Sequence, residues 1–402
     1  AVSVSVGAIV GAGIFVVTGI VAGLAGSALP ISMLIAALIS LFTASSFAEL
    51  TIWQPKEGSI YEYTYQLISP FAGFLTGWMW ILSNTFAGTA VSLGFAYYLN
   101  TIIQIIEPKY VAALACLSFT ILNYYGIKES ARLNNVLVIA KLAILALFVI
   151  VGANFINVQN YMPFTPLSTN VLYGAFYAFF AYGGFARVAV VAEEIKDAKR
   201  NVPRAILFSL LISTMVYVLV GAVAVGLVGS STLANSDSPL TEAIKITAQP
   251  ATIYLISVGA ILATASVLLT AIIGVSRMAY AMAKRKDLPE LFSKVHPKHG
   301  TPHLAVWITG GAMTVMALFL DISGVVAMGT FALLFYYTLA NICALRLKNQ
   351  KRVHSRLIGV AGAVSCLLLL TVALFVTPQT GVMGFAALAV GTLVYAVKRK
   401  RR

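Results

Sequence analysis

The sequence predicts an all-α integral membrane protein: twelve transmembrane helices arranged as a five-plus-five inverted repeat, with helices 1 and 6 broken and two extra helices at the end. Three observations lead there. Of the 402 residues, 60% are hydrophobic and 10% charged, and the mean hydropathy is +0.92, more apolar surface than a water-soluble globule of this size carries. The apolar runs are about 17 to 25 residues long, the length of helix that crosses a hydrocarbon core. Finally, two glycine-broken stretches, G-A-I-V-G-A-G-I-F at 7–15 and F-F-A-Y-G-G-F at 179–185, sit at matching places in two halves of the chain. Non-helical backbone at membrane depth is tolerated only where it lines a cavity, and paired interrupted helices mark the midplane binding site of a secondary transporter.

Taken in order, the expected spans of the first unit, 1–155, are 2–24, 31–53, 71–99, 110–125 and 135–155. Those of the second unit, 171–345, are 171–191, 203–228, 253–283, 304–320 and 325–345. An odd number of crossings per unit inverts the second relative to the first. An accessory pair over 357–397 spans 357–376 and 381–397 around the turn T-P-Q-T-G. The third and eighth spans are long enough to tilt or to extend beyond the bilayer. Between spans six and seven, E-E-I-K-D-A-K-R-N-V-P-R (193–204) places Asn201 as the N-cap of span seven and Pro203 in its first turn. The segment R-M-A-Y-A-M-A-K-R-K-D-L-P-E-L-F (277–292) extends span eight as a basic amphipathic helix at the interface.

The net charge of +14 is placed asymmetrically. Lysines and arginines fall in alternate loops, and the opposite loops hold only Lys109 and Lys245. By the positive-inside rule both termini are cytoplasmic, in a multi-pass protein of the plasma membrane. The basic charge therefore reports topology and contact with anionic membrane lipids, not nucleic acid. Cys116, Cys343 and Cys366 lie in different apolar spans without paired spacing, so buried thiols are expected. The chain starts at Ala1 almost inside its first span, so some N-terminal residues are expected to be missing, and no cleavable signal is read. Oligomeric state is not legible.

If the first span breaks at Gly11 to Gly13, the N–H groups opening its outer half face the cavity with the positive end of the helix dipole, a site for a carboxylate. Close helix packing through G-x-x-x-G at Gly7 and Gly11 is the alternative. In the sixth span, the pair Gly183-Gly184 releases carbonyls of Phe179, Phe180, Ala181 and Tyr182, which suit an ammonium group; lipid-facing aromatics are the alternative. The two breaks together describe a zwitterion, the common part of an α-amino acid.

Lys141 stands alone in an apolar run, on the order of 10 Å inside the cytoplasmic end of span five. A midplane lysine costs about 2.5 to 3.5 kcal/mol on the lenient insertion scale. It reads as a proton carrier, as a fixed cation in place of bound sodium, or as a snorkelling side chain. Arg187, four residues after Gly183, could pair with Glu193, Glu194 or Glu49, form an inner gate, or snorkel. No midplane carboxylate is placed to neutralise a cationic substrate. His296, His299 and His303 share one loop without cysteine, and neither a metal nor a cofactor is expected. No nucleophile with its base and no phosphate loop is found, which speaks against an enzyme.

G-A-G-I-F, then F-A-Y-G-G-F followed by E-E-I-K-D-A-K-R-N-V-P-R-A-I, then S-R-M-A-Y-A-M-A-K-R-K-D-L-P together resemble the amino acid-polyamine-organocation (APC) superfamily of amino-acid permeases over nearly the whole chain. S-F-A-E-L at 46–50, followed by Pro55 and Tyr61 to Tyr65, resembles that family's end of span two. The resemblance implies the leucine-transporter-like fold. It implies a substrate carboxylate on the backbone of Ala12, Gly13 and Ile14, an amino group on carbonyls of Phe180, Ala181 and Gly183, and Phe185 as a gating aromatic. Lys141 resembles the lysine that takes the place of sodium in sodium-independent members, and Thr264 and Ser266 fall near the hydroxyl ligands of sodium-coupled ones. Three departures stand out: Asp197-Ala198 replaces Asn-Pro, Gly183 replaces a bulkier apolar residue, and Arg187 replaces a small polar one.

The expectation is a proton-coupled, sodium-independent carrier of neutral or broadly selected amino acids that works by alternating access, with protons or a counter-exchanged amino acid as its co-substrate. The alternatives are a cationic amino acid or polyamine exchanger and a transporter-like amino-acid sensor.

Overall fold

The first span is two helices, not one. A computed structural model describes residues 2–55, 59–104, 107–126, 131–190, 195–347 and 355–400. In it α1 (Val2–Ile9) and α2 (Ala12–Ala25) are parted at Gly11, whose backbone leaves the helical region at φ −136° and ψ −139°. After a 3-10 turn at Gly26–Ala28 the chain returns as α3 (Leu29–Trp53), followed by the short α4 (Ser59–Leu67). Next come α5 (Pro70–Asn100), α6 (Pro108–Tyr124) and α7 (Ala131–Ala153). Helix α5 starts where physics asks it to: Ser69 Oγ accepts from the Ala72 N–H at 3.1 Å, and Pro70 fills the first position, where no donor is needed.

The second interruption is tighter. Helix α8 (Thr169–Tyr182) passes through a 3-10 turn, Gly183–Phe185, into α9 (Ala186–Val190). Gly183 keeps αR dihedrals, and its N–H still bonds the Phe180 carbonyl, so the axis is pinched instead of opened.

Two sequence expectations change. Helix α10 (Ala198–Ala234) begins before Asn201. Asp197, in the left-handed region at φ 49°, is its N-cap, and its carbonyl takes the N–H groups of Arg200 and Asn201, both at 2.9 Å. The first turn is thus closed ahead of Pro203, which sits inside the helix, and Asn201 Nδ2 instead donates to the Lys196 carbonyl at 2.7 Å. Past α11 (Pro239–Ile244), α12 (Pro250–Lys284) stops at Lys284 instead of running to Phe292. Lys286 turns left-handed at φ 59°, and Tyr61 Oη holds the Asp287 carboxylate at 2.5 Å. Burial first, then that hydrogen bond, raise the Tyr61 phenol above its ordinary value. At the same end Arg285 pairs with Glu62 at 2.5 Å and lies 4.4 Å from the centre of the Tyr65 ring, tying α4 to the end of α12.

The chain finishes with α13 (His303–Phe319), α14 (Ile322–Leu345), α15 (Arg356–Val376) and α16 (Pro378–Lys400). Helices α3, α5, α10, α12 and α14 surround the interrupted ones, while α15 and α16 pack outside on α14. Large apolar side chains on the outer helices, including Leu357, Phe375, Val382 and Leu393, are exposed, the surface expected against lipid. Among the described residues there is no strand, and seven helical stretches are long and apolar enough to cross a membrane by length and composition. All three cysteines are free and buried.

Candidate functional site

The two interruptions meet backbone to backbone. A Cβ on Gly184 would run into the carbonyl of Ala8, and one on Gly13 would lie 2.5 Å from Cα of Ala181. Only glycine lets α1, α2 and the α8–α9 turn cross this closely. One hydroxyl joins the breaks: Tyr217 Oη, from α10, lies 2.6 Å from the Ile9 carbonyl and 3.3 Å from that of Ala181. Tyr337 Oη, from α14, donates to the Gly183 carbonyl at 2.8 Å. Each of these carbonyls keeps a second lone pair for another donor.

Beside the crossing is a small cavity walled by Ile9, Gly13, Asn84, Phe180, Arg187 and Leu333, among others. Its volume is small, about 40 Å³. The N-cap of α2 is Gly11, which has no side chain to cap the first turn, so among the described residues its opening N–H groups remain available to an anion at the Gly13 wall.

Arg187 is the charged side chain of this wall. Its Nη2 donates to Asn84 Oδ1 at 3.4 Å, and among the described residues the buried Nη1 has no hydrogen-bond partner. Among the described residues no carboxylate pairs with it; Glu193 and Glu194 lie outside the described residues.

Lys141 is buried on α7, and its Nζ donates to Ser266 Oγ of α12 at 2.5 Å. Ser266 Oγ also donates to the Ala263 carbonyl at 3.1 Å. Thr264, on the same helix, is turned to its own backbone, donating to the Ala260 carbonyl at 2.7 Å.

Several residues singled out by sequence line the cavity: Gly13, Phe180, Ala181, Gly183 and Arg187. Gly11 is the N-cap of α2 and Ala12 its first residue. Ile14 is buried behind them, its carbonyl taken by Thr18. Phe179, Tyr182 and Phe185 are buried away from the cavity wall: Phe179 on Tyr337, Tyr182 on Tyr217, and Phe185 between Phe47 and Tyr337. Sequence reasoning missed Ser83 and Asn84 on α5 and Tyr336 on α14, which line the wall, and Tyr217, which joins the breaks. No sequence signal singled them out, because each is one of several polar groups on its helix.

The amino acid permease family profile matches residues 1–397. The chain is 33% identical to a branched-chain amino acid permease of Bacillus subtilis over 86% of its own length and 79% of that protein. It is 33% identical to the methylthioribose transporter of the same organism over 97% and 90%. A vacuolar cationic amino acid transporter of Arabidopsis thaliana is 29% identical over 86% of this chain and 62% of that one.

Proposed function

The chain belongs to the amino acid permease family, a family of multi-pass membrane transporters and not enzymes, and on that premise we propose that it carries amino acids by alternating access. The observation that carries this reading is the crossing of two interrupted helices at a cavity, with an uncapped helix start on one wall and backbone carbonyls on the other. The α-carboxylate sits on the N–H groups of Ala12, Gly13 and Ile14, supported by Gly11. The ammonium group takes the free lone pairs of carbonyls in Phe179 to Gly183.

Twelve spans in two inverted units, 1–155 and 171–345, with an accessory pair over 357–397, complete the proposal, in a plasma membrane with both termini cytoplasmic. Sodium is not required, because the Lys141 ammonium on Ser266 supplies a cation between α7 and α12. Coupling runs through protons or a counter-exchanged amino acid in that region. The substrate range is neutral or broad, and the positive Arg187 in the wall disfavours a cationic side chain.

Uptake of a radiolabelled panel into proteoliposomes tests this, with a pH gradient, a sodium gradient or internal amino acid imposed separately and methylthioribose included. Stimulation by acid outside supports proton symport, and flux only against internal amino acid makes the protein an exchanger. Binding without flux replaces the transporter reading with a sensor.

A further inference from the structure

Arg187 is not explained by recognition of a simple zwitterion. The first turn of α2 already provides for one carboxylate, and the guanidinium, which touches Asn84, is a second anion-binding group on the wall of the same cavity. Among the described residues its one hydrogen bond is a long one, 3.4 Å to a neutral amide, and Nη1 has none. A cation held in a low-dielectric wall without a counter-charge is costly, and a buried unpaired donor calls for an acceptor. The planar fork of a guanidinium fits a carboxylate with two parallel hydrogen bonds.

We infer that Arg187 is a specificity-determining residue that receives a second carboxylate, carried on the substrate's side chain, so that the broad range of this carrier extends to and favours acidic amino acids. The inference rests on the amino-acid reading of the same cavity. The incoming carboxylate displaces Asn84 Oδ1 from Nη2 and engages Nη1, while Leu333 and Phe180 yield the volume that a side chain of glutamate size needs.

Glutamate and glutamine have nearly the same shape and differ in the charge that matters. The test is competition of each against a radiolabelled amino acid bound by the full chain in proteoliposomes, with uptake measured alongside. Glutamate is expected to compete about ten- to a hundred-fold better than glutamine, the worth of a hydrogen-bonded charge pair. R187Q is expected to erase that preference and R187K to retain part of it. Equal competition by the two ligands in the unmodified protein overturns the inference, as does a monodisperse R187Q protein that still prefers glutamate. Should R187Q fail to fold, the comparison on the unmodified chain decides alone. Leucine uptake indifferent to glutamate sinks this inference and leaves the amino-acid reading standing. Failure to bind or move any amino acid overturns both.

Discussion

A buried ammonium on a serine is informative because its removal leaves that serine another hydrogen bond. In K141A the Ser266 hydroxyl keeps its bond to the Ala263 carbonyl, so the chain is expected to insert and to remain monodisperse. Acid-stimulated uptake is expected to fall by about tenfold or more, the worth of a hydrogen bond to a charged group. Arginine at the same place separates two roles, since it keeps a cation but does not release its proton in proteins. Transport by K141R that no longer responds to pH identifies a proton carrier, whereas unchanged pH-dependent uptake in K141A returns Lys141 to snorkelling. This residue was legible because a lone lysine in an apolar run has few explanations. Asn84, Ser83 and Tyr336 were not: a polar residue on a long helix announces nothing until packing decides which face meets the cavity, and α5 is polar at many positions.

The crossing of the interrupted helices depends on the absence of a side chain at Gly184, because the atoms it would strike belong to the Ala8 backbone and cannot rotate away. G184A is therefore expected to drive α1 and the α8–α9 turn apart, at about 1 to 3 kcal/mol of overpacking, with transport lost more completely than stability. Thermal unfolding in detergent beside uptake measures both, and normal uptake would sink the view that this contact shapes the site. Tyr217 acts between elements as well. Y217F deprives the Ile9 and Ala181 carbonyls of their shared donor, a loss of about 1 to 3 kcal/mol for buried groups left unsatisfied, to be read in the same unfolding assay. The two breaks could be located in sequence because glycines cluster there, at 7, 11 and 13 and at 183 and 184, and each weakens a helix. Their unlike forms could not: Gly11 opens the chain, while Gly183 stays helical because Tyr337 and the Phe180 carbonyl hold both sides of it. The start of α10 was misread because Asp197 and Asn201 are both good capping types, and the fold gives the place to Asp197.

At the scale of the whole molecule, inversion makes a demand that no local feature can meet. The connection between spans three and four occupies, in the first unit, the place that the connection between spans eight and nine occupies in the second. An inverted repeat puts these two on opposite faces of the membrane, and a parallel repeat puts them on the same face. Lys109 lies in the first connection, and the exposed Lys294 lies in the second. The native cysteines are free but buried, so a membrane-impermeant maleimide finds little background on the folded chain. In intact cells K109C is expected to label and K294C to stay dark until the membrane is permeabilised. K245C, in an exposed position after span seven, should behave as K109C does if the asymmetry of basic residues reports orientation. Labelling of K109C and K294C from the same side would remove the inverted repeat, and with it the reason for expecting two different interrupted helices to share one substrate.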